Sequence, residues 1–421
     1  MISMLSTEVP RNSLLAGSLG LFLAGSAAQG QCQYEVTVIR GPTCPIFGIP
    51  VTYGYDINEL GEVVGSHYQC GNNWADDAAY IWTPKSGLIT LDFLPGFMEA
   101  RAQKLNDLGQ IVGALINRRS KFSLKAALWQ DGQVFDLGIL PGGNWSHALA
   151  INNKGQIAGY WGNDLTGEPV WSVFLWQNGQ MVDLGSQLGR RLSRANDINE
   201  YGAVTGLMGF SLFQDVRAFI WEEGVVTELP PVPGGFTSEA RAINNLGDVA
   251  GTGRLFDVEA GQVVRHAFVW TDGKMIDIGT LPGIIMSAAF DINDARQVVG
   301  RSWATGIGRA FIWQNGVMTN LNDLIQSVPQ VTMHVATAIN NAGQIAGHGS
   351  VQGHSAALLL TPINSPLGDL DNDCVVGLAD LEILLNSWGP CPDCVNCLAD
   401  LDGDCAVAVP DLLTLLANWT G

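Results

Sequence analysis

The sequence has little positive charge. Its 21 Lys and Arg residues stand against 40 Asp and Glu residues, which gives a net charge of -19. A nucleic-acid-binding protein needs clustered Lys and Arg side chains to displace counterions from phosphates, and the sequence contains no such cluster. Charged residues of both signs make up only 14% of the chain, while Gly occurs 51 times. This composition excludes nucleic acid as a partner and favours an acidic, turn-rich β protein.

The sequence also lacks long apolar runs after residue 30 and the common catalytic motifs. No later stretch has the roughly 18 or more apolar residues of a membrane-spanning helix, so we expect no membrane span. None of GxSxG, HExxH, the phosphate-binding loop or the dinucleotide fingerprint occurs. A carboxylate pair for glycoside cleavage is defined by its separation in space, which a sequence does not show. Catalytic residues therefore stay unknown at this stage, and a non-enzymatic protein is favoured.

The first thirty residues differ from the rest of the chain. Arg11 precedes a run of small and apolar residues, LLAGSLGLFLAGSAA, at residues 14–28. A positive charge, a short apolar run and small residues before a cleavage point are typical of a secretory signal peptide. We assign the signal peptide to residues 1–30, with cleavage within residues 28–31. This predicts a secreted or extracellular protein, the periplasm and the cell surface included.

No cysteine lies between Cys70 and Cys374, so the eight cysteines form two groups near the ends of the chain. Exported proteins commonly hold such cysteines in disulfides. The segment CPDCVNC, residues 391–397, leaves a zinc site as the alternative, although zinc normally requires further ligands from a second motif. The candidates for disulfide bonds are Cys44, Cys70, Cys374, Cys391, Cys394, Cys397 and Cys405, with Cys32 as a further partner for the first group.

From about residue 50 to residue 362, one pattern occurs seven times. Each copy contains a phrase such as AINNKGQIAG, a second phrase such as AFVW and, in most copies, a third phrase such as MIDIGTLPG. The anchoring asparagines follow at intervals of 45 to 49 residues: Asn58, Asn106, Asn152, Asn199, Asn244, Asn293 and Asn340. Six second phrases end in Trp: Trp82, Trp129, Trp176, Trp221, Trp270 and Trp313. We expect the Trp side chains to pack between neighbouring units and the Asn side chains to cap their own turns.

Each copy divides into four short strands. AIN and QIAG flank a turn that contains Gly155, and FLW and MVDL flank the Asn178-Gly179 turn. Four strands in roughly 40–50 residues are typical of a β-propeller blade. The seventh copy lacks its fourth strand, which YEVTVIRGP at residues 34–42 resembles. We therefore predict a mainly β protein with a seven-bladed β-propeller over residues 31–362, whose N-terminal strand closes the last blade; a β-solenoid is the alternative.

The repeated phrases resemble the HAF-type extracellular repeat of exported bacterial proteins. His266, Ala267 and Phe268 carry the motif that names this repeat, and the resemblance covers residues 34–362. Some copies depart from it, as where Tyr80 replaces the Phe. The resemblance implies an extracellular location and a propeller-like fold, and it implies no catalytic activity.

Residues that break the repeat are candidates for a ligand site. Five or six positions before the anchoring Asn, several copies carry a charged or imidazole side chain. If the AIN strand is the innermost strand of each blade, these side chains gather at one mouth of the central channel. They could form an anion or sugar site there, or they could be an ordinary solvated rim. The candidates are Arg101, His147, Arg194, Glu239 and His334.

The C-terminal segment contains one twelve-residue pattern twice, after a linker at residues 363–368. The copies are DLDNDCVVGLAD, residues 369–380, and DLDGDCAVAVPD, residues 400–411, and they lie 31 residues apart. Asp at positions 1, 3, 5 and 12, with a backbone carbonyl at position 7, is close to the ligand order of a calcium loop. We therefore predict two calcium ions in a small helical domain formed by residues 369–421.

Each calcium pattern leads into an apolar helix, predicted at residues 378–388 and 410–419. Both loops depart from the usual pattern at position 6, where the sharp turn favours Gly and the sequence has Cys374 and Cys405. The predicted calcium ligands are Asp369, Asp371, Asp373, Val375 and Asp380 in the first loop, and Asp400, Asp402, Asp404, Ala406 and Asp411 in the second.

The duplicated loop–helix arrangement resembles the type I dockerin module over residues 367–421. In that family, paired calcium loops fold the module, which docks onto a cohesin and attaches secreted enzymes or binding proteins to a scaffold. The resemblance implies a cohesin-like or cell-surface protein as the partner of this tail. In this variant the loop cysteines, Cys374 and Cys405, could be tied to the CPDCVNC segment by disulfides that brace the turns.

The sequence as a whole favours a secreted, non-enzymatic ring that binds a ligand or a protein, a glycan among the candidates, and that carries a calcium-dependent docking tail. The alternative is an extracellular carbohydrate-active enzyme, a polysaccharide hydrolase or lyase, on the same tail. Dockerin-like tails commonly accompany polysaccharide-degrading domains. A cluster of His, Asp and Glu in one channel mouth would favour the enzyme, and a symmetric polar rim would favour binding.

Overall fold

The computed structural model of the protein describes the chain from residue 33 onward, with gaps. The predicted signal peptide lies outside the described residues, as do residues 371–375 of the first predicted calcium loop and Cys32, Cys44 and Cys394. The described ranges are 33–43, 51–70, 75–117, 123–164, 170–210, 215–258, 261–326, 330–363, 366–370, 376–391 and 397–419.

Strands dominate the described residues, so the prediction of a mainly β protein is confirmed. The repeats contain the strands β1 Gln33–Ile39, β2 Thr52–Ile57, β3 Val63–Cys70, β4 Ala75–Thr83, β5 Gly87–Thr90, β6 Glu99–Leu105, β7 Ile111–Asn117, β8 Ser123–Gln130, β9 Gln133–Asp136, β10 Trp145–Ile151, β11 Ile157–Asn163, β12 Val170–Gln177, β13 Gln180–Asp183, β14 Leu192–Ile198, β15 Val204–Gly209, β16 Arg217–Glu222, β17 Val225–Glu228, β18 Gly235–Ile243, β19 Val249–Asp257, β20 Gln262–Thr271, β21 Lys274–Gly279, β22 Met286–Ile292, β23 Val298–Ala304, β24 Ile307–Gln314, β25 Val317–Asn320, β26 Val331–Ile339, β27 Ile345–Val351 and β28 His354–Ile363. The remaining elements are β29 Gly389–Pro390, β30 Ala406–Val407, the helices α1 Gly185–Leu188, α2 Leu378–Asn386 and α3 Val409–Ala417, and a 3₁₀ turn at Leu321–Asp323.

The repeat strands form antiparallel sheets in chain order. Four sheets have the orders β2-β3-β4-β5, β6-β7-β8-β9, β18-β19-β20-β21 and β22-β23-β24-β25. The strands β10 to β17 are joined into one larger sheet, in which a single parallel residue pair, Trp171 and Leu192, connects β12 to β14. Each repeat thus folds largely on its own strands, because the short turns within it favour antiparallel hairpins.

The N-terminal strand completes the sheet of the last repeat, whose order is β1-β28-β27-β26. β1 pairs with β28 from Gln33 opposite Ile363 to Ile39 opposite Ala357. Tyr34 is buried, and its backbone N–H donates to the carbonyl of Leu324 at 3.0 Å. The prediction that a strand near residue 34 supplies the missing outer strand is confirmed, although the strand ends at residue 39 instead of 42.

The anchoring asparagines form a closed circle of hydrogen bonds among the described repeats. Within its own turn, the Oδ1 atom of Asn58 accepts from the backbone N–H groups of Leu60 and Glu62, as the capping prediction requires. Each Nδ2 atom also donates to the backbone carbonyl of the asparagine in the next repeat, at 3.0 to 3.3 Å. Asn340 donates to Asn58 and closes the circle. This second bond, which the sequence did not predict, links every repeat to its neighbour.

The repeated tryptophans pack between neighbouring repeats, as predicted. Trp129 is 5% exposed and lies in one apolar cluster with Val64 and Ala79 of the preceding repeat. The other five are partly buried against equivalent clusters: Trp82, Trp176, Trp221, Trp270 and Trp313. The core of the ring is therefore a series of apolar layers between adjacent sheets.

The first turn of each repeat requires a left-handed residue. Gly155, between β10 and β11, has φ +72° in this turn. In the later turn of the same repeat, between β12 and β13, Asn178 and Gly179 have φ +52° and +78° and form the predicted two-residue hairpin turn. Arg296 stands in the place of the turn Gly in the sixth repeat and has φ +59°. Its Nε atom donates to Asp248 at 2.8 Å, so an ion pair holds a conformation that disfavours most side chains.

The C-terminal unit is built on α2 and α3. Its core contains Val376, Leu384, Ala399, Val407 and Leu415, all buried. β29 pairs with β30 and connects the segment after the first helix to the second loop. Within the described ranges, no helix is long and apolar enough to cross a bilayer.

Candidate functional site

A layer of charged side chains crosses the central channel of the ring. Two positions before the anchoring Asn, four repeats carry Asp56, Lys104, Asp197 and Asp291, and the other three carry Ala. We call these four side chains the charged layer. Lys104 Nζ donates to Asp197 Oδ1 at 2.7 Å. Asp56, Lys104 and Asp291 line a cavity on each side, which places the layer between the two cavities.

The charged layer also connects neighbouring repeats. The Oδ2 atom of each aspartate accepts a hydrogen bond from a backbone N–H of the repeat that follows it in the chain. The bonds run from Leu105 to Asp56 at 2.9 Å, from Ile243 to Asp197 at 2.9 Å, and from Ile339 to Asp291 at 2.8 Å. The three aspartates therefore have a structural role as well as a position on the channel.

Burial shifts the protonation of the charged layer. It raises the pKa of Asp56 to about 7 and that of Asp291 to about 6, because water is excluded from both carboxyl groups. Burial alone would lower the pKa of Lys104, but the charges of Asp197 and Asp56 raise it above its ordinary value. The layer thus holds a charged lysine, and the carboxyl groups of Asp56 and Asp291 can carry protons near neutral pH.

The cavity on one side of the layer, which we call the channel cavity, has a volume of about 390 Å³. His147 and Arg194 line it, as the sequence predicts, and so do Tyr160, Arg241 and Phe290. The guanidinium of Arg194 lies 5.9 Å from the centre of the Tyr160 ring. The cavity therefore combines cations with aromatic faces.

The other predicted residues of the channel mouth are placed differently. Glu239 is not part of the channel cavity lining that the structure describes, but it accepts from Arg194 at 2.7 Å and pairs with Arg241 at 3.1 Å. Arg101 pairs with Asp77 at 2.6 Å. His334 lies near the Ser350 hydroxyl, at 3.2 Å. Neither Arg101 nor His334 belongs to the described lining, so the structure brings only part of the predicted set together.

Several buried nitrogen atoms of residues that line the channel cavity lack a hydrogen-bond partner among the described residues; those of the arginines are donors, and that of the histidine donates or accepts according to its tautomer. They are His147 Nε2, Arg194 Nε and Arg241 Nε. Burial lowers the pKa of His147 to about 3, and the charges of Arg194 and Arg101 act in the same direction. His147 is therefore neutral at ordinary pH. A buried polar atom without a partner costs free energy, which a ligand with hydrogen-bond acceptors can offset.

The opposite mouth is acidic. Its cavity, of about 150 Å³, is lined by six of the seven anchoring asparagines, all but Asn152 in the described lining, and by Glu59, Asp107, Glu200 and Asp294. The equivalent position of the other three repeats carries Asn153, Asn245 and Asn341. Each of the seven side chains accepts from a backbone N–H of the preceding repeat. The channel therefore has an acidic mouth on one side of the charged layer and a mouth with arginines on the other.

The second predicted calcium loop gathers its carboxylates. One carboxylate oxygen each of Asp400, Asp402 and Asp411 lies within 4.8 Å of the others. Asp411 is buried, and its two oxygens accept from the backbone N–H groups of Leu401 at 2.7 Å and Ala408 at 2.8 Å. Three carboxylates at such separations fit a divalent cation that prefers oxygen ligands. The metal itself, calcium in our prediction, remains a proposal.

The described part of the first loop matches the second. Asp380 is buried and accepts from the backbone N–H groups of Leu370 and Gly377, each at 2.6 Å. These two donors stand 31 positions before Leu401 and Ala408, the donors to Asp411. Asp369 is also buried. The predicted ligands Asp371, Asp373 and Val375 lie outside the described residues.

The three cysteines of the tail that the structure describes, Cys391, Cys397 and Cys405, are disulfide-bonded. Cys391 and Cys397 form a disulfide, so the alternative of a zinc site that uses these two thiolates is wrong. The pair also lies within the CPDCVNC segment, so neither residue is tied to a loop cysteine. Cys405 is disulfide-bonded and has φ +71°, the left-handed conformation that position 6 of the loop requires.

No known family model matches the sequence, and no curated protein matches it. Solved structures do match. An oligogalacturonate lyase in complex with manganese shares 8% identity over 80% of this chain and 98% of its own, with a TM-score of 0.50. An acylaminoacyl peptidase from Pyrococcus horikoshii shares 9% identity over 74% of this chain, which spans 51% of the peptidase, with a TM-score of 0.50. The β-propeller domain of the Trilobed protease from Pyrococcus furiosus matches with a TM-score of 0.49 at 9% identity, over 74% of this chain and 93% of that one.

At these identities the comparisons concern the fold alone. Antiparallel sheets that are four-stranded in five repeats, with a circle of hydrogen bonds that joins the last repeat to the first, are typical of a β-propeller. The chain therefore has a β-propeller fold. The functions of the matched enzymes do not transfer on this basis.

The charged layer and Arg241 were missed by the sequence analysis. The charged layer could have been found from the sequence, because an alignment of the seven repeats shows Asp or Lys in four copies and Ala in three at one position. Arg241 also stands in an aligned position, three residues before Asn244, but that position is not otherwise charged. It joins the site because its strand neighbours that of Arg194, and both guanidinium groups contact Oε1 of Glu239 beside the channel cavity.

Proposed function

We propose that the protein is a secreted, non-enzymatic ligand-binding propeller with a calcium-dependent docking tail. The observation that carries the proposal is the channel cavity, whose walls include His147, Arg194 and Arg241, each with a buried side-chain nitrogen that has no partner in the described chain. A ligand rich in oxygen acceptors suits the two guanidinium groups of this lining, and the ring of Tyr160 would give it an apolar face. A glycan has both properties, and we take it as the ligand class.

The ring in this proposal has seven blades. Seven anchoring asparagines and seven repeats support the number, and the larger sheet counts as two blades because one residue pair joins its halves. The domain limits are those of the sequence analysis, with the ring at residues 31–362, the linker at 363–368 and the tail at 369–421. Export through the signal peptide at residues 1–30 agrees with the Cys391–Cys397 disulfide, since disulfides persist in oxidising compartments.

The ring proposal is tested by screening the secreted chain for binding and turnover of glycans together. We expect binding without turnover. Arg194→Gln should weaken the binding of a neutral oligosaccharide about tenfold, the cost of one lost charge-assisted hydrogen bond. Arg190→Gln is the matched control, because Arg190 pairs with Asp215 and Glu228 outside the channel cavity. If the protein binds no glycan in the screen, the proposal is wrong.

The tail in this proposal binds two calcium ions and docks onto a cohesin-like or cell-surface protein. Its two halves expose matching apolar side chains: Leu378 and Val409 at the helix starts, and Leu385 and Leu416 near the helix ends. Members of each pair are 31 residues apart, as the loops are. Exposed apolar side chains repeated in this way suit a protein interface. The resemblance to dockerin modules supports a cohesin-like partner.

Calcium removal tests the tail. In the full-length secreted chain, a chelator should raise amide hydrogen exchange in residues 376–391 and 397–419 and leave the ring strands protected, because metal binding contributes to folding of such loops. Asp400→Asn should reproduce this effect at saturating calcium, whereas Asp323→Asn in the ring should not. Unchanged exchange in the tail with chelator would contradict calcium binding.

The carbohydrate-active enzyme, a hydrolase or lyase, is the second candidate. The observation in its favour is the raised pKa of Asp56 and Asp291 at the inner end of the channel cavity. A carboxyl group that holds its proton near neutral pH can act as a general acid. Turnover of a polysaccharide that is lost in Asp56→Asn, with ligand binding retained, would establish this function in place of the first.

A further inference from the structure

A second cavity, separate from the channel cavity, lies between the sheets β18–β21 and β22–β25. It has a volume of about 250 Å³, and Arg241, Arg254, Arg265 and Arg301 line it. We call it the arginine pocket. The whole chain has only 21 Lys and Arg residues and a net charge of -19. Four arginines at one cavity are therefore an unusual local concentration of positive charge in an acidic protein.

The arginine pocket has little negative charge of its own. Glu239 is the one acidic residue in its described lining, and it already pairs with Arg194 and Arg241. Among the described residues, Arg254, Arg265 and Arg301 form no ion pair. Arg254 and Arg265 are directly opposite each other in the ladder between β19 and β20. Like charges in this arrangement destabilise a sheet, and an anion between them would remove the cost.

Hydrogen-bond donors of the arginine pocket are also unused. Arg241 Nε, Arg301 Nε and the hydroxyl of Thr252 are buried and have no partner among the described residues. Thr252 is 8% exposed, so solvent reaches little of it. Guanidinium and hydroxyl donors around one cavity suit a carboxylate or sulfate group, which accepts several hydrogen bonds at once.

Two aromatic rings give the arginine pocket apolar faces. The Arg301 guanidinium lies 5.6 Å from the centre of the Trp303 ring, and that of Arg241 lies 5.9 Å from the Phe290 ring. Arg241 and Phe290 line the channel cavity as well. The two cavities therefore adjoin at these two residues, where consecutive units of one oligosaccharide could lie in both.

We propose that the arginine pocket binds the acidic group of a charged saccharide, a carboxylate of a uronic acid or a sulfate ester, and so selects acidic over neutral glycans. The proposal deepens the proposed function and rests on it, since the ring must bind glycans for the pocket to select among them.

The test is calorimetric titration of the full-length secreted chain with three probes: a uronic-acid oligosaccharide, its neutral methyl ester, and a sulfated oligosaccharide of similar length. The pocket variants are Arg265→Gln, whose side chain is at an exposed position, and Arg301→Gln. Arg309→Gln is the matched control, because Arg309 lies in the neighbouring strand β24 and is outside the described lining of the pocket.

We expect the wild-type protein to bind one of the acidic probes at least tenfold more tightly than the ester. Each pocket variant should lose about tenfold in affinity for that probe and keep its affinity for the ester, while Arg309→Gln changes neither. Whichever acidic probe is preferred identifies the group as carboxylate or sulfate. The Arg265→Gln variant should melt at the same or a higher temperature, because one of two opposed charges is removed.

Other outcomes overturn the proposal and separate it from the proposed function. Equal binding of acidic and neutral probes by the wild-type protein removes selection by the arginine pocket and leaves glycan binding intact. Binding of no probe removes glycan binding and the pocket proposal together. A lower melting temperature for Arg265→Gln, with unchanged acidic binding, would make the arginine a structural residue.

Discussion

Cys405 stands at position 6 of the second predicted calcium loop, where such loops usually have glycine, and its backbone has the conformation that glycine would have. Its φ of +71° places the β-carbon close to the backbone carbonyl, which disfavours residues other than glycine. The disulfide at this residue holds the turn by a covalent bond. The cysteine therefore replaces the conformational freedom of glycine with a cross-link.

This account predicts an order of stability among variants that all lack the disulfide at this position. Cys405→Gly should be more stable than Cys405→Ala by about 1 kcal/mol, since only glycine accepts the positive φ without strain. The free energy of local unfolding is measured by hydrogen exchange across residues 397–419. Equal stability of the two variants would show that the backbone does not keep this conformation.

Asp56 should make the stability of the ring depend on pH. Its pKa is about 7 when folded, above the usual value of about 4, so the folded protein binds more protons than the unfolded chain between these values. Stability contributed by Asp56 is thus present at low pH and is lost as the pH rises from about 4 to 7. Asp56→Asn keeps the acceptor for Leu105 and should raise the free energy of unfolding at pH 7.5 by roughly 1 kcal/mol or more.

The measurement is chemical denaturation of Asp56→Asn and wild type at pH values from 4 to 8. The difference between the two should grow with pH across this range. Asp272→Asn serves as the control, because the side chain of Asp272 is 78% exposed. A difference that does not vary with pH would contradict the role of burial at Asp56.

At the scale of elements, the sequence predicts strands well because turns and apolar phrases recur together. The Asn178-Gly179 turn and the strands on both sides are as predicted, and so are α2 and α3 after their loops. The site was predicted only in part. His147 and Arg194 stand at aligned positions, whereas Arg265 and Arg301 come from different strands of different repeats and meet only in the folded ring.

The N-terminal strand should be essential to the last sheet. Tyr34 is 2% exposed and packs into the cluster that contains Leu358 and Leu360. Tyr34→Ala should lower the free energy of unfolding by about 3–5 kcal/mol, because it opens a cavity in this layer. Glu35→Ala, at an exposed position of the same strand, should change it by less than about 0.5 kcal/mol. Thermal unfolding and limited proteolysis near residue 39 compare the two variants.

At the scale of the whole molecule, the channel separates charge along its axis. The mouth at the anchoring asparagines is acidic, the other mouth is lined by Arg194 and Arg241, and the charged layer lies between them. In a strongly acidic protein, this arrangement would direct an anionic ligand to one side of the ring. Because only four of the seven repeats contribute a charged residue to this layer, the charge around the channel does not follow the symmetry of the repeats.

The circle of asparagines should be a major source of stability for the ring. Asn199→Ala removes the acceptor for Tyr201 and Ala203 and the donor to Asn244, all within buried or half-buried turns. We expect a loss of about 2–4 kcal/mol in the free energy of unfolding, since several backbone groups are left without partners. Chemical denaturation measures the loss, and a change below about 0.5 kcal/mol would show that water replaces these bonds.

A closed circle of hydrogen bonds has no first or last member. The covalent chain has two ends, but Asn340 donates to Asn58 as every other anchoring asparagine donates to its neighbour. The order of the repeats around the ring is therefore independent of where the polypeptide starts. Circularly permuted chains that open at an exposed loop between two repeats would keep every member of the circle, whereas deletion of any single repeat would break it.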